Sequence, residues 1–388
     1  MKHILLILAY LFLIPLSHSQ KLIIPDISAR VDTSKVEVKA VYHLYKEYLN
    51  SRMDSVYQNP HWNKKQAELA VKLKASSVDR AITWLFWTDS IGKKHRWFNA
   101  PKVLQIDKIE ENRYQIKTIF MNRCEKDDDK AFNPDCITKL YAVKDENGAF
   151  KLENVIDYDT RNWKKYKYKN INYVVQPFMK FNKRRAKEGV AFCNKIAKQF
   201  ALKQLPFTYY MTSNPDEMIK LSNLDYLLSY TTGFTDLQTR TIFTSFSHES
   251  YPHEFVHMLF YNSTNKYAGT GFIGEGLATW LGGSGFNSTY EEGLKKFSLD
   301  IKDNNTIDLD KIISFEYRNP FDNDPFYLTG GVICSMVYEK YGASGIFELY
   351  NSPDMISLKK LLEKMFNMSY EEIDLKVIKY IKEYSVKK

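Results

Sequence analysis

Two histidines four residues apart, His253 and His257, are the residues of this sequence best placed to do chemistry, and Glu254 lies between them in an H-E-x-x-H pattern. Residues i and i+4 of a helix share one face, so both imidazoles can bind one metal ion. Glu254 lies about 100° around the same helix, where it can reach a metal-bound water without being a ligand. Two imidazoles, one carboxylate and an open position for water are the usual catalytic zinc site of a peptidase. The pattern therefore predicts a hydrolase.

The residues around the motif predict a buried helix. Phe255, Val256 and the run Met258–Phe260 are apolar, which favours burial on several sides. Pro252 suits a first helical turn, where its missing N–H has no helical partner to lose. The alternative is two core histidines that are simply hydrogen-bonded to their neighbours. The i, i+4 spacing with a glutamate between them favours the metal site.

A third ligand must come from outside the motif. A metzincin would continue with a glycine and a third histidine at fixed spacing, and this chain has neither. His248 is the only other histidine nearby, and it lies in a predicted loop. Glu275 is the better candidate. It begins a second short predicted helix, Glu275–Leu281, which closes at Gly282-Gly283.

The segment Glu275–Trp280 reads E-G-L-A-T-W, and with the H-E-x-x-H helix it resembles the gluzincins, zinc peptidases with two histidines and one glutamate as ligands. The similarity is to the branch whose second helix reads E-G-x-A, as in aminopeptidase-like enzymes, and covers roughly residues 168 to 388. It implies a thermolysin-like catalytic domain with Glu254 as general base and proton shuttle. It implies one Zn²⁺ ion with three ligands: His253, His257 and Glu275.

The same resemblance assigns a role to a tyrosine. Aminopeptidase-like gluzincins carry a tyrosine in a Tyr-x-x-Gly context before a helix, where it hydrogen-bonds the oxyanion of the tetrahedral intermediate. Here Tyr327 stands in Pro325–Gly331, before a helix predicted over Val332–Tyr341. A phenol suits this role because it donates one strong hydrogen bond from an apolar wall.

One departure from the family bears on specificity. The aminopeptidases also carry an upstream Gly-x-Met-Glu-Asn segment, whose glutamate grips the free amino terminus of the substrate. The corresponding stretch here, Thr231 through Ser245, contains no glutamate. Its alternation of β-branched and aromatic residues predicts an edge strand that could pair with an extended peptide. An endopeptidase is favoured over an aminopeptidase.

The first residues predict export. Residues 1–19 have a short basic start, an apolar run and small residues before a cleavage site near Ser19-Gln20, as in a secretory signal peptide. No second apolar run is long enough to span a membrane, so no stable membrane insertion is expected after cleavage. These features predict a secreted or periplasmic enzyme. The oligomeric state is left open.

Charge argues against a nucleic-acid partner. The formal net charge of +9 comes from lysines scattered among acidic residues rather than from one basic stripe. The segment Trp163–Tyr173 interleaves lysine with tyrosine, a pattern that RNA-binding surfaces share with solvated strands, and the strand is favoured. The expected partner is a peptide or protein substrate.

The chain has four cysteines. Cys124 and Cys136 flank an acidic loop between two predicted strands, and in an oxidising compartment we expect a disulfide there, worth ~3 kcal/mol in the loop-entropy model. Cys193 and Cys334 lie in apolar helical patterns. Two buried free thiols and a bridge between the helices remain open for that pair.

The fold class predicted is α+β in two domains. An accessory domain over residues 20–167 begins with helices and continues with a curved antiparallel sheet; the catalytic domain over 168–388 has a sheet followed mostly by helices. The predicted accessory elements are helices Val36–Leu49 and Lys64–Lys74 and strands Val103–Ile109, Tyr114–Met121, Ile137–Val143 and Phe150–Tyr158, with a turn at Asn147-Gly148. The predicted catalytic-domain elements include helices Asn182–Phe200, Pro215–Leu224 and Tyr370–Tyr384 and strand Phe207–Thr212.

Two other functions fit the same residues. One is a non-catalytic gluzincin-like scaffold that binds a peptide or a surface, although such a scaffold has no chemical need for Glu254. The other is a zinc hydrolase of a non-peptide amide, which only a substrate panel would tell apart from a peptidase.

Overall fold

The structure is a computed structural model that describes residues 23–53, 55, 57–75, 77–88, 94–96, 100–123, 132–228, 231–283, 289–304, 307–317 and 325–387. The predicted signal peptide and Cys124 lie outside these residues. Helices and strands are both abundant, and the strands form separate sheets, which confirms the α+β class. No helix among the described residues is both long and apolar enough to cross a membrane.

The chain divides into two compact units. The first unit contains the described residues up to Val155 together with Ser222–Leu228. The second contains Ile156–Leu221 and the described residues beyond Leu228. Each unit is a set of residues that contact one another more than they contact the rest of the chain. The predicted domain boundary between residues 167 and 168 stays a prediction.

The first unit consists of three helices and eight strands among its described residues. They are α1 (Val36–Leu49), α2 (Lys64–Leu73), α3 (Ile82–Leu85), β1 (Asp26–Ile27), β2 (Phe86–Thr88), β3 (Lys94–Arg96), β4 (Ala100–Glu110), β5 (Arg113–Arg123), β6 (Phe132–Lys144), β7 (Phe150–Glu153) and β11 (Leu224–Leu227). Helix α4 (Val155–Asp159) begins at Val155, where the first segment of this unit ends, and its other residues belong to the second unit.

The first sheet has the order β1-β4-β5-β6-β11, with β7 also paired to β6. The long strands β4, β5 and β6 are antiparallel neighbours, as their alternating sequences predict. Gly148 forms the predicted turn with a φ of 78°, a left-handed conformation that glycine adopts without strain. The β-strand predicted over Phe150–Tyr158 is wrong beyond Glu153. There the backbone N–H groups of Asn154 and Val155 donate to the side chains of Gln66 and Asn223 instead of to a strand, and α4 begins.

The remaining elements belong to the second unit. They are β8 (Lys164–Tyr168), β9 (Ile171–Val175), α5 (Lys183–Phe200), β10 (Phe207–Met211), α6 (Pro215–Lys220), β12 (Gly233–Asp236), β13 (Thr241–Thr244), α7 (Pro252–Thr264), α8 (Gly271–Gly282), α9 (Tyr290–Ile301), α10 (Leu309–Ile313), α11 (Pro325–Tyr350), α12 (Met355–Phe366) and α13 (Tyr370–Lys387). The order is a sheet followed mostly by helices.

The second sheet is mixed and has the order β12-β13-β10-β9-β8. Its three central strands are parallel, and each edge strand is the antiparallel partner of a hairpin. One face, which includes Tyr173, Phe207 and Tyr209, is buried in the same core as the helices α5 and α7. The edge strand predicted within residues 231–245 is β12, and the basic, aromatic segment near residue 163 forms the strands β8 and β9.

Three details of the second unit depart from the sequence patterns or complete them. The helix predicted over Pro215–Leu224 ends at Lys220, because Asn223 has a left-handed φ of 62° and Leu224 belongs to β11. Helix α11 begins earlier and ends later than predicted, with a break at Gly342, whose φ is 63°. Cys193 and Cys334 are buried free thiols.

In the first unit Cys136 is also a buried free thiol, and burial raises its pKa to about 12. Because its predicted partner Cys124 is outside the described residues, the disulfide stays a prediction.

Candidate metal centre

Helix α7 presents the H-E-x-x-H motif. It begins at Pro252, so the proline occupies the first turn as its lack of an N–H predicts. His253 and Glu254 are 6% and 5% exposed, respectively, and His257 is partly buried one turn later. The apolar residues around them, Phe255 and Val256, are fully buried in the core of the second unit. The core therefore holds the backbone of the motif on both sides of the polar residues.

The side chains of His253, His257 and Glu275 converge. Glu275 Oε2 lies 3.1 Å from His253 Nε2 and 3.3 Å from His257 Nε2, and the two imidazole nitrogens are 3.3 Å apart. Ligands at zinc–ligand distances in a tetrahedral site stand roughly 3.3 Å from one another. The group could hold a metal ion.

A backbone carbonyl sets the orientation of the first histidine. His253 Nδ1 lies 2.9 Å from the carbonyl oxygen of Gly283, which can only accept, so Nδ1 carries the proton and Nε2 keeps its lone pair. Metal-binding histidines usually donate their other ring N–H in this way, which fixes the tautomer and the ring plane. Gly283 caps helix α8 at a φ of 92°, a conformation that favours glycine.

The electrostatics of the cluster favour an ion pair in the protein without metal. Burial lowers the pKa of His257, but the negative charge of Glu275 and its hydrogen bond outweigh burial and raise that pKa to about 9. Burial likewise raises the pKa of Glu275, but the positive charge of His257 outweighs burial and brings that pKa well below its ordinary value. A cation in place of the proton would stabilise the same carboxylate.

Two close approaches between helices fix the position of α8, the helix that carries Glu275. A Cβ at Gly276 would lie 2.3 Å from the backbone of Gly330, so helices α8 and α11 touch through their main chains. A Cβ at Gly282 would lie 2.5 Å from the backbone nitrogen of His253, so the end of α8 lies directly against the start of α7. A Cβ at Gly282 would push α8 away from the histidine helix, and one at Gly276 would push α8 away from α11.

Glu254 is next to the ligands but outside their group. Its Oε2 accepts a hydrogen bond of 2.5 Å from the hydroxyl of Thr235, on edge strand β12. Sequence reasoning did not find Thr235, because it lies 19 residues from Glu254 and a threonine in a strand carries no spacing signal. Only the packing of β12 on α7 brings the two together.

These residues line one cleft of about 670 Å³ within the second unit. Tyr327 is on its wall, and its ring stacks on His253 with 6.0 Å between the ring centroids. Strand β12 lines the cleft through Gly233, Phe234 and Thr235. The structure thus gathers His253, Glu254, His257, Glu275 and Tyr327 around a single opening.

The alternative third ligand is held elsewhere. His248 Nδ1 lies 3.0 Å from the carbonyl oxygen and 3.1 Å from the backbone nitrogen of Ser250. Among the residues that the structure describes, the group able to hold a metal contains Glu275 and does not contain His248.

No protein-family model matches the chain, and no curated protein matches it in sequence.

Proposed function

We propose that this protein is a secreted or periplasmic zinc-dependent peptidase of the gluzincin type. The observation that carries the proposal is the convergence of His253, His257 and Glu275. The carboxylate of Glu254 lies beside this group without belonging to it. Three ligand atoms with an adjacent non-ligand carboxylate are the set that metal-assisted hydrolysis requires. The resemblance at the H-E-x-x-H and E-G-x-A helices points the same way.

The donor set suits zinc. Two neutral imidazole nitrogens and one carboxylate oxygen are the ligands of catalytic zinc in several peptidases, and they leave a fourth position open. When bound, zinc supplies a Lewis acid that lowers the pKa of water and polarises a carbonyl. His253, His257 and Glu275 would hold the ion, and Gly283 would keep the first imidazole in the required tautomer.

Glu254 would transfer the proton, and Tyr327 would stabilise the negative charge that develops in the reaction. The Glu254 carboxylate takes a proton from the attacking water and later delivers it to the leaving amine. The Tyr327 hydroxyl, on the wall of the same cleft, donates a hydrogen bond to the oxyanion that forms at the scissile carbonyl. These are the roles that the family resemblance assigns to both residues.

The substrate would be an extended peptide that is cleaved at an internal peptide bond. Strand β12 is at the edge of its sheet and lines the cleft, so a peptide could add to it as a further strand. The stretch from Thr231 to Ser245 contains no glutamate for a terminal amine. An endopeptidase is favoured over an aminopeptidase.

The first experiment measures bound metal by elemental analysis on the purified mature protein and on Glu275→Ala. Near-stoichiometric zinc that falls sharply in the variant is the expected result. Asp107→Ala, an exposed acidic residue in the first unit, is the matched control and should keep its zinc. Absence of zinc after reconstitution would overturn the metal site, and zinc retained in Glu275→Ala would overturn the third ligand.

The second experiment measures turnover on a panel of unstructured proteins, blocked peptides and small non-peptide amides. Glu254→Gln should keep its zinc and lose ~10³-fold or more in turnover, because the amide cannot accept the proton. A Glu254→Gln variant with full activity would refute the mechanism. Zinc with turnover of the amides alone would point to the non-peptide hydrolase, and zinc without turnover of any substrate would favour the binding scaffold.

A further inference from the structure

We propose that Thr235 is a positioning residue for the general base: its hydroxyl holds the Glu254 carboxylate in the orientation that the reaction needs. The inference rests on the proposed function and adds a residue to it. Thr235 belongs to edge strand β12, and Glu254 belongs to helix α7.

The contact is short and specific. Thr235 Oγ1 lies 2.5 Å from Glu254 Oε2 and 3.4 Å from the backbone oxygen of the same residue. A hydroxyl has one proton, and the shorter distance to the charged acceptor assigns that proton to the carboxylate. Among the described residues, Thr235 is the one side chain that donates to Glu254.

The carboxylate needs such a partner because of where it lies. Glu254 follows the ligand His253 directly in the sequence and is 5% exposed, yet its oxygens are not in the group formed by the three ligands. A free glutamate has several rotatable bonds, and a loose carboxylate beside a metal ion can become a ligand itself. The bond to Thr235 keeps the carboxylate on the side of β12, where it can act on water.

The location of Thr235 also links binding to chemistry. Strand β12 is the edge strand that would pair with a peptide, and the same strand carries the hydroxyl that orients the base. A substrate that pairs with β12 would steady the strand and with it Glu254. The geometry therefore ties the orientation of the base to the strand on which the substrate would lie.

The test compares Thr235→Val, Thr235→Ser and Thr208→Val in the full mature protein with zinc. Valine keeps the shape and the strand preference of threonine but has no hydroxyl, while serine keeps the hydroxyl. Thr208 is a half-buried strand threonine in β10 of the same sheet and lies outside the cleft, so Thr208→Val is the matched control. We expect Thr235→Val to lower kcat by ~10- to 100-fold with KM nearly unchanged and zinc content equal to that of the wild type.

Rescue separates positioning from folding. Thr235→Ser should recover kcat to within about 3-fold, since a hydroxyl partner at the same place restores the orientation. A Thr235→Val variant with wild-type kcat would overturn the proposal. So would a Thr235→Ser variant as slow as Thr235→Val, because a lost methyl group would then explain the effect.

A second measurement does not depend on catalysis. Denaturation midpoints are compared for the wild type, Thr235→Val, Glu254→Ala and the double variant. If the hydrogen bond exists, Thr235→Val lowers the midpoint less in the Glu254→Ala background than in the wild type. Equal shifts in both backgrounds would overturn the contact, whereas a wild type without peptidase activity but with coupled midpoints would overturn the proposed function alone.

Discussion

The two units each bury a polar cluster, and the clusters are built in opposite ways. In the first unit, Asp79 is 3% exposed and is surrounded by donors. In the second unit, ring nitrogens of His253 and His257 converge with a carboxylate oxygen of Glu275. The first cluster satisfies its own hydrogen bonds, and the second needs a bound proton or metal ion.

The donors of the first cluster are easily named. Asp79 accepts hydrogen bonds from the hydroxyl of Tyr48 at 2.8 Å, from the side-chain amide of Asn223 at 2.8 Å and from the backbone N–H of Ala81 at 2.9 Å. Asn223 donates as well to Asn154 Oδ1 at 2.6 Å. Burial still raises the pKa of Asp79, but every carboxylate oxygen has a partner. This network ties Ser222–Leu228 into the first unit.

The second cluster lacks such donors. The His253 ring uses its one N–H on Gly283, which leaves the lone pair of Nε2 toward Glu275. His257 must carry a proton to satisfy the carboxylate when no metal is bound. The difference teaches how to tell a structural polar cluster from a ligand set: the structural cluster balances donors and acceptors, while the ligand set has converging lone pairs.

The largest effect is expected from breaking the hydrogen-bond network around Asp79. Asp79→Ala should lower the free energy of unfolding by about 3 kcal/mol, because it leaves three donors in the interior without an acceptor. Urea denaturation measures the loss, and bound metal should be unchanged. Asp107→Ala, on an exposed part of β4, should change the free energy by less than about 0.5 kcal/mol. A loss below 1 kcal/mol for Asp79→Ala would contradict the contrast between the clusters.

The next effect is expected from displacing the helix that carries Glu275 without changing a ligand. In Gly276→Ala the new methyl carbon would lie 2.3 Å from the backbone of Gly330, so helices α8 and α11 must move apart. We expect a loss of about 2 kcal/mol in unfolding free energy, together with weaker metal binding, by denaturation and metal titration. Gly271→Ala in the same helix meets no atom within 4 Å and serves as the control for stability. Unchanged metal affinity in Gly276→Ala would show that this contact does not position Glu275.

A smaller effect is expected from removing a single donor of the hydrogen-bond network around Asp79. Tyr48→Phe removes one of the three donors to Asp79 and keeps the buried ring. The expected loss is about 1 kcal/mol, the usual value of one hydrogen bond, measured by the same denaturation. A loss equal to that of Asp79→Ala would mean that the tyrosine alone holds the network.

The smallest effect is expected in the number of protons that the protein releases when it binds a metal ion. The pKa of His257 is about 9 in the protein without metal, so this imidazole is protonated at pH 7.5 and must lose its proton to become a ligand. Metal binding should release about one proton per ion, which calorimetry in buffers of different ionisation enthalpy can count. No release at pH 7.5 would contradict the ion pair with Glu275.

The same shift predicts how the metal-free protein responds to pH. The folded pKa of His257 is above its ordinary value of 6.5, so protonated His257 stabilises the fold. That contribution is fully present below pH 6.5 and is lost as the pH rises through about 9. Denaturation midpoints of the metal-free protein across this range, compared with His257→Gln, measure it.

Much of the second unit could be predicted from local patterns. The spacing of His253 and His257 places both on one helix face whatever the rest of the chain does. Pro252 marks the helix start, and Gly283 marks the end of the next helix. These features depend on a few neighbouring residues, so they can be read without tertiary structure.

The predicted bounds are wrong where partners from distant segments replace local hydrogen bonds. Strand β7 ends at Glu153 because Gln66 and Asn223 take the backbone N–H groups that follow it. Helix α6 ends before Leu224 because that residue pairs with β6. Neither partner is visible from local periodicity, since each lies dozens of residues away in the sequence.

The sequence by itself determined the chemistry available: two imidazoles at helical spacing with a carboxylate between them, and a second helix that begins close to Glu275. Helical geometry alone is enough for that, because it relates residues three or four apart. Only the tertiary structure decided which atoms meet. The main-chain contact of Gly282 with His253 brings the Glu275 helix to the histidines, the Gly283 carbonyl selects the tautomer, and β12 brings Thr235 to Glu254. Such contacts depend on the packing of whole elements, which no local pattern encodes.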